Sequence, residues 1–192
     1  MANRTDGKAR YRFGFILGRF QPLHVGHERM IDAALAACER VLVLVGSAQL
    51  QGTVRNPFDA EYRMRLLRLV YGDRIELAPL RDYSHEGDHS HAWGRYLLQA
   101  ARDYGEQRGF PALDLTIAGD DEERGHWFPA EAIAGVDRLV VPRSAVPISA
   151  TRLREAIAAG DRTFWAAHTN PALHGEFETI RETLLRVEAY RR

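Results

Sequence analysis

A doubly wound parallel α/β sheet is the fold class this sequence predicts, and three observations predict it. Apolar runs of about four to eight residues alternate along the chain with longer segments of helical period. One of those runs, Val41 to Val45, is apolar at every position (VLVLV), as a strand covered by helices on both faces requires. Strands that alternate with helices close as βαβ crossovers, which makes the sheet parallel. In such sheets a ligand sits beyond the carboxyl ends of the strands, where the strand order reverses.

The elements follow in order. Phe13 to Leu17 is a strand ending at Gly18, and the turn Arg19, Phe20, Gln21, Pro22 leads into a helix from Gly26 to Cys38, with Met30, Ala33, Ala34 and Ala37 on one side. Val41 to Val45 is the second strand. Asp59 to Tyr71 is a helix with Asn56 or Asp59 as candidate cap and Met64, Leu67 and Val70 inward. Arg74 to Leu77 is a short strand, followed by a polar loop from Pro79 to His91 and a helix from about Ala92 to Tyr104. Leu113 to Ala118 and Arg138 to Val141 are two further strands, Ser149 to Ala159 is a helix, and Glu176 to Tyr190 is a final amphipathic helix. There is no internal repeat and no low-complexity segment.

Composition narrows the chemistry. Lysine plus arginine and aspartate plus glutamate both number 26, so the net charge is zero with histidine neutral. Bulk electrostatics therefore does not hold this chain on nucleic acid, and any phosphate binding is local. Cys38 is the single cysteine, which excludes an internal disulfide and a cysteine-based zinc site. It reads as a small apolar residue on a helix. The opening MANRTDGKARYR lacks the apolar core of a signal peptide and reads as a flexible terminus over residues 1–11. No apolar run approaches the roughly 18 residues a membrane span needs. A cytoplasmic location with no membrane partner is the expectation.

The segment Gly14 to Ile31, GFILGRFQPLHVGHERMI, concentrates the chemistry. A strand ending in glycine and a helix opening with His24 and His27 put backbone N–H groups, ring N–H donors and the positive helix end in one place. That is an anion site, suited to a polyphosphate. His24 and His27 are spaced i, i+3, so within one helical turn they share a face and grip one ligand together, with Gly26 letting the backbone approach. Far along the chain, Ser149 and Thr151 in ISATRLR can cap a helix and form a second anion pocket, with Arg154 one turn further in. Alone, a serine and a threonine before a helix are usually only caps.

HxGH after the first strand together with ISxTxxR is the paired signature of the HIGH-motif nucleotidyltransferases, whose Rossmann-like fold carries extra C-terminal helices. More specifically the chain resembles nicotinamide-mononucleotide adenylyltransferases of the NadM type. GRFQPLHVGH, GSAQ at Gly46 to Gln49, RNPFDAEYRM from Arg55 to Met64, RDY at Arg81 to Tyr83 with Trp93 downstream, and ISATRLR carry the resemblance. It implies that Gly18, Arg19, Phe20, Gln21, His24, Gly26 and His27 hold the phosphates of ATP, with Arg55 reaching a phosphate of one substrate or the other. Ser149, Thr151 and Arg154 would close from the opposite side, with His24, His27 and Arg154 as the catalytic groups. Asp82 would accept the carboxamide N–H of NMN and Trp93 would stack on its ring, while Gly119 and Asp120 lie near a ribose. The implied reaction forms NAD and pyrophosphate with Mg²⁺ on the leaving group and no confident protein ligand for the metal. Homo-oligomers occur in the family, though no sequence feature here fixes a number.

Other signals, a departure and the rival readings belong beside this. HEGDHSH, from His85 to His91, carries imidazole and carboxylate but matches no closed zinc pattern, and it reads as a solvated loop over the mononucleotide site. The acidic turn after Gly119 reads equally as a surface charge run, and Trp127 and Phe128 are expected to pack. Gln51 and Gly52 replace a Ser-His pair of archaeal members, so the pattern is closer to the bacterial branch whose transferase domain is fused to a Nudix hydrolase. No Nudix box lies in these residues, which implies one nucleotidyltransferase domain over 12–192, helical from about 149 to 190. The rivals are transfer to nicotinate mononucleotide or another phosphorylated acceptor, and a non-catalytic sensor of NMN or NAD.

Overall fold

The computed structural model describes residues 9–85, 87–88, 90–120, 124–142 and 148–191. Expectations placed on 1–8, on Glu86 and His89 of the histidine-rich loop, on the acidic positions 121–123 and on Pro147 lie outside the described residues. Among the described residues the sheet has five parallel strands: β1 (Tyr11–Gly18), β2 (Cys38–Val45), β3 (Glu76–Pro79), β4 (Leu115–Gly119) and β5 (Asp137–Val141), in the order β3-β2-β1-β4-β5. The order reverses between β1 and β4, which makes the sheet doubly wound and puts the switch point at the carboxyl end of β1.

The alternation of side chains along the central strands builds two cores. Phe13, Phe15 and Leu17 of β1 and Leu42 and Leu44 of β2 face one way, against Leu97, Leu98 and Ala101 of α3 (His91–Gln107). Ile16, Val41, Val43 and Val45 face the other way, against α1 (Val25–Ala37), α2 (Ala60–Tyr71) and the C-terminal helices. The five side chains of Val41 to Val45 are buried, each stabilising by about 1.5–3 kcal/mol. α1 and α2 cross on one face because the chain steps outward from β1 to β3, and α3 crosses on the other because it must return to β4.

The structure moves several boundaries. Gly72–Arg74 forms a tight 3₁₀ turn after α2, so β3 begins at Glu76 rather than Arg74, and it ends at Pro79, which an edge strand tolerates. β4 begins at Leu115 rather than Leu113. After the short α4 (Ala130–Ile133), α5 (Ala150–Ala158) ends at Gly160 with φ +85°, and Asp161 caps an additional helix, α6 (Arg162–His168). The expected single helix from Glu176 to Tyr190 is α7 (Phe177–Leu185) followed by a separate turn, Glu188–Tyr190, because Val187 is extended at φ −85°, ψ 121°. Among the described residues no helix is long and apolar enough to cross a membrane.

Candidate active site

The loop after β1 is held by contacts the strand end dictates. Phe20 has φ +51°, and its ring lies so close that a Cβ at Gly18 would come within 2.7 Å of it, so any other residue there would have to displace the Phe20 ring. Gln21 is buried with its amide committed: Nε2 donates to the Phe58 carbonyl at 2.9 Å and Oε1 accepts from the Phe58 N–H at 3.0 Å. Its side-chain amide therefore braces the loop, where a phosphate contact was expected of it. At the end of β2, Ser47 also has a positive φ, +47°. Two residues of positive φ thus follow the carboxyl ends of the neighbouring strands β1 and β2, and something must hold them.

That group is Arg63, which the helical reading did not single out. Its guanidinium is fully buried and donates to the carbonyls of Asp59 (3.0 Å), Arg19 (2.7 Å), Gly46 (2.8 Å) and Ser47 (3.3 Å). Burial pulls its pKa down to about 10, which leaves it charged at neutral pH. One cation thus ties the loop after β1, the loop after β2 and the start of α2. The expected inward face of α2 was Met64, Leu67 and Val70, whereas the buried residues are Arg63, Leu66, Leu67 and Tyr71. A correct helical phase would have placed Arg63 with the core residues.

His24 is not inside the helix, as the i, i+3 argument assumed, but caps it. It is extended at φ −149°, ψ 166°, and its Nδ1 accepts the Gly26 N–H at 3.1 Å. A neutral ring accepting at Nδ1 carries its proton on Nε2, so capping fixes the tautomer. The His24 and His27 rings stack with centroids 3.8 Å apart, and the Phe20 ring lies tilted 4.9 Å from that of His27. Two imidazoles are therefore aimed as one block at the N-terminus of α1.

The second motif closes on the same space. Ser149 caps α5, its Oγ accepting from the Arg152 N–H at 3.2 Å, and Thr151 Oγ1 accepts from Arg154 at 3.1 Å. The buried Arg154 also donates to the Gln21 carbonyl at 2.8 Å, so the two motifs, 133 residues apart, touch directly. A cavity of about 270 Å³ results, walled by Gly18, Arg19, Phe20, Gln21, His24, Gly26, His27, Arg55, Ser149, Thr151 and Arg154. Three arginines and two histidines face it, and among the described residues no carboxylate lines it. In a chain of zero net charge that is a strongly local anion site.

Asp82, Trp93, Gly119 and Asp120 stand outside this cavity. Asp82 follows β3 and accepts from Ser47 Oγ (3.1 Å) and Gln49 Nε2 (2.8 Å), while its own N–H donates to Gln49 Oε1 (3.1 Å). The GSAQ segment is thus the holder of Asp82. Trp93 is 6% exposed, with its ring 5.4 Å from Tyr96 and 6.5 Å from Trp127, so the structure places it in the α3 core rather than on an open face. Tyr83, its ring tilted by 41° at 5.5 Å from that of Tyr96, is the exposed aromatic beside Asp82. Gly119 ends β4 and is buried, and the exposed Asp120 donates its N–H to Val141 at 3.3 Å. Trp127 and Phe128 are buried, as packing residues should be. Among the described residues no group of three histidine, cysteine or carboxylate side chains could hold a metal ion.

Known proteins similar to this chain can now be set beside it. The nicotinamide-nucleotide adenylyltransferase of Aeropyrum pernix is 29% identical over 171 residues, covering 86% of this chain and 90% of that protein. That of Thermococcus onnurineus is 26% identical over 159 residues, covering 77% and 73%. Among solved structures, the bifunctional NMN adenylyltransferase/ADP ribose pyrophosphatase of Francisella tularensis, complexed with AMP and a manganese ion, superposes with a TM-score of 0.62 at 22% identity. It shares the fold over 78% of this chain, which spans only 42% of that longer protein. The family model described as cytidylyltransferase-like matches residues 15–156, from β1 through the ISxTxxR helix, and so takes in both jaws of the cavity. The chain belongs to the cytidylyltransferase-like family.

Proposed function

We propose that this chain transfers the adenylyl group of ATP to nicotinamide mononucleotide, forming NAD and pyrophosphate. The observation that carries the reading is the cavity at the switch point, where Arg19, Arg55, Arg154, His24 and His27 converge with no described carboxylate among them. Such a donor set suits a triphosphate, whose charge must be neutralised before a second anion can approach. The names of the Aeropyrum and Thermococcus relatives support the nicotinamide acceptor.

In this reading an oxygen of the mononucleotide 5′-phosphate attacks the α-phosphorus of ATP. A new P–O bond forms, the bond to the bridging oxygen of the β-phosphate breaks, and pyrophosphate leaves with the electron pair. The attacking oxygen is already ionised, so no general base is required. His24 and His27 stabilise charge on the α-phosphate and the leaving group, and Ser149, Thr151 and Arg154 hold the β- and γ-phosphates; catalysis is positioning plus electrostatics. A Mg²⁺ ion fits only as part of the nucleotide, since the described wall offers no carboxylate; it would supply charge neutralisation on the pyrophosphate. Asp82, held by Ser47 and Gln49, suits a carboxamide N–H and repels the carboxylate of nicotinate.

The test is pyrophosphate release from ATP and Mg²⁺ with NMN and nicotinate mononucleotide compared side by side. Release with NMN, faster than with nicotinate mononucleotide, is the expected result. Tight NMN binding with no pyrophosphate would make the protein a sensor instead.

A further inference from the structure

The phosphate clamp has a third support that neither motif contains. The turn Glu188–Tyr190 brings Tyr190 back against α5, where its ring is 8% exposed. Its hydroxyl accepts the Nε–H of Arg154 at 2.8 Å and donates to the carbonyl of Val54 at 2.9 Å. Donor and acceptor roles are both filled, which fixes the direction of each bond. Arg154 is thereby held at three nitrogens: by Tyr190 at Nε, by the Gln21 carbonyl at one terminal nitrogen and by Thr151 at the other. That leaves one N–H on each terminal nitrogen for a ligand. Val54 directly precedes Arg55, which lines the cavity from the opposite loop.

We infer that Tyr190 is a positioning residue for the transfer reaction: one hydroxyl sets the plane of the Arg154 guanidinium and anchors the loop that presents Arg55. This rests on the function proposed above. A planar guanidinium offers its remaining donors in fixed directions, so the group that fixes its rotation decides whether they meet the β- and γ-phosphates. Tyr190 itself lies outside the cavity wall, in a neighbouring hollow lined by Val54, Thr151, Glu155 and Ala158, so its role is to hold Arg154 and not to line the cavity.

Tyr190→Phe keeps the ring and its packing and removes only the hydroxyl. The expected result is a kcat for pyrophosphate release about 10–100-fold lower, the range known for partners that orient the ligands of metal sites, with the KM for NMN and the melting temperature near parental. In an Arg154→Lys background, where there is no guanidinium plane to set, the same change should cost clearly less, since only the anchor on the Val54 carbonyl is then lost. A Tyr190→Phe enzyme within twofold of the parent overturns the inference. So does an activity loss that merely tracks a fall in melting temperature, or an equal loss in the Arg154→Lys background. If the parent releases no pyrophosphate at all, the transfer reading fails first. Calorimetry with inorganic tripolyphosphate then decides about Tyr190: weaker binding by Tyr190→Phe at unchanged stability sustains its role, and equal binding ends it.

Discussion

At the scale of single residues the site is built from groups whose partners fix what they can do. His27 stacks on a capping His24 whose tautomer is set by the Gly26 N–H, so its removal takes away one aimed donor and leaves the fold. His27→Ala should fold normally and lower kcat about 100-fold or more, as loss of an oxyanion donor does; a variant within threefold of the parent would remove His27 from the reaction. Its neighbour Glu28 carries a cost. Burial pushes its carboxyl above the usual range, only partly offset by the Asn170 amide at 3.0 Å, and nearby Asp32 raises it further. The folded state therefore binds more protons than the unfolded one between the ordinary glutamate value and the raised one, and stability falls as pH rises through that window. Glu28→Gln should raise the melting temperature by about 2–4 °C at pH 8, with the gain shrinking toward zero at pH 4; a gain independent of pH contradicts this. His24, His27, Ser149, Thr151 and Arg154 were singled out by the pairing of HxGH with ISxTxxR, not by local pattern alone, and the fold brings them to one cavity. Arg63 was not, because a charged side chain in a helix reads as solvent-facing until four carbonyls from three segments are seen around it. The burial of Trp93 was equally out of reach of the sequence, because it is a property of α3 against Trp127.

At the scale of elements, the central strands were legible as short apolar runs, Phe13 to Leu17 in β1 and Val41 to Val45 in β2, since a strand apolar on both faces must be covered on both. The C-terminal helices were not. The apolar period from Glu176 to Tyr190 is continuous, and the break at Val187 serves a contact with α5 that no local pattern encodes. The Gly160-Asp161 pair, a helix stop followed by a cap, was the local signal for α6. The packing of α3 gives a sharp test of how the second core is joined. Gly94 lies in its first turn, where an added Cβ would stand 1.9 Å from the carbonyl oxygen of Trp127. Backbone cannot swing aside as a side chain can, so Gly94→Ala should destabilise by about 3 kcal/mol or more despite alanine's better helix propensity. Chemical denaturation checks it, and a variant as stable as the parent means that α3 and the 127 region do not pack in this way.

At the scale of the whole molecule, the feature that matters is how charge is distributed. Equal numbers of acidic and basic residues leave the surface without a net field, yet three arginines and two histidines share one cavity. Attraction for an anion is then short-ranged and depends on the anion fitting between α1 and α5, within about a Debye length of 8 Å at physiological salt. A compact triphosphate can fill the cavity; a polyanion whose charges are spread along a helix cannot bring enough of them in. Inorganic tripolyphosphate at about 100 times its dissociation constant should stabilise the fold by about 2.7 kcal/mol, a rise of about 5–10 °C in melting temperature for a chain of this size. Duplex DNA at equal phosphate concentration and the same salt should leave the melting temperature unchanged. Equal shifts from both polyanions would mean that the basic groups act as a diffuse surface rather than a clamp. Tripolyphosphate stabilisation that disappears in Arg154→Ala, with the variant's own unliganded stability measured alongside, would place the attraction at the meeting of the two motifs, where the winding of the sheet changes direction.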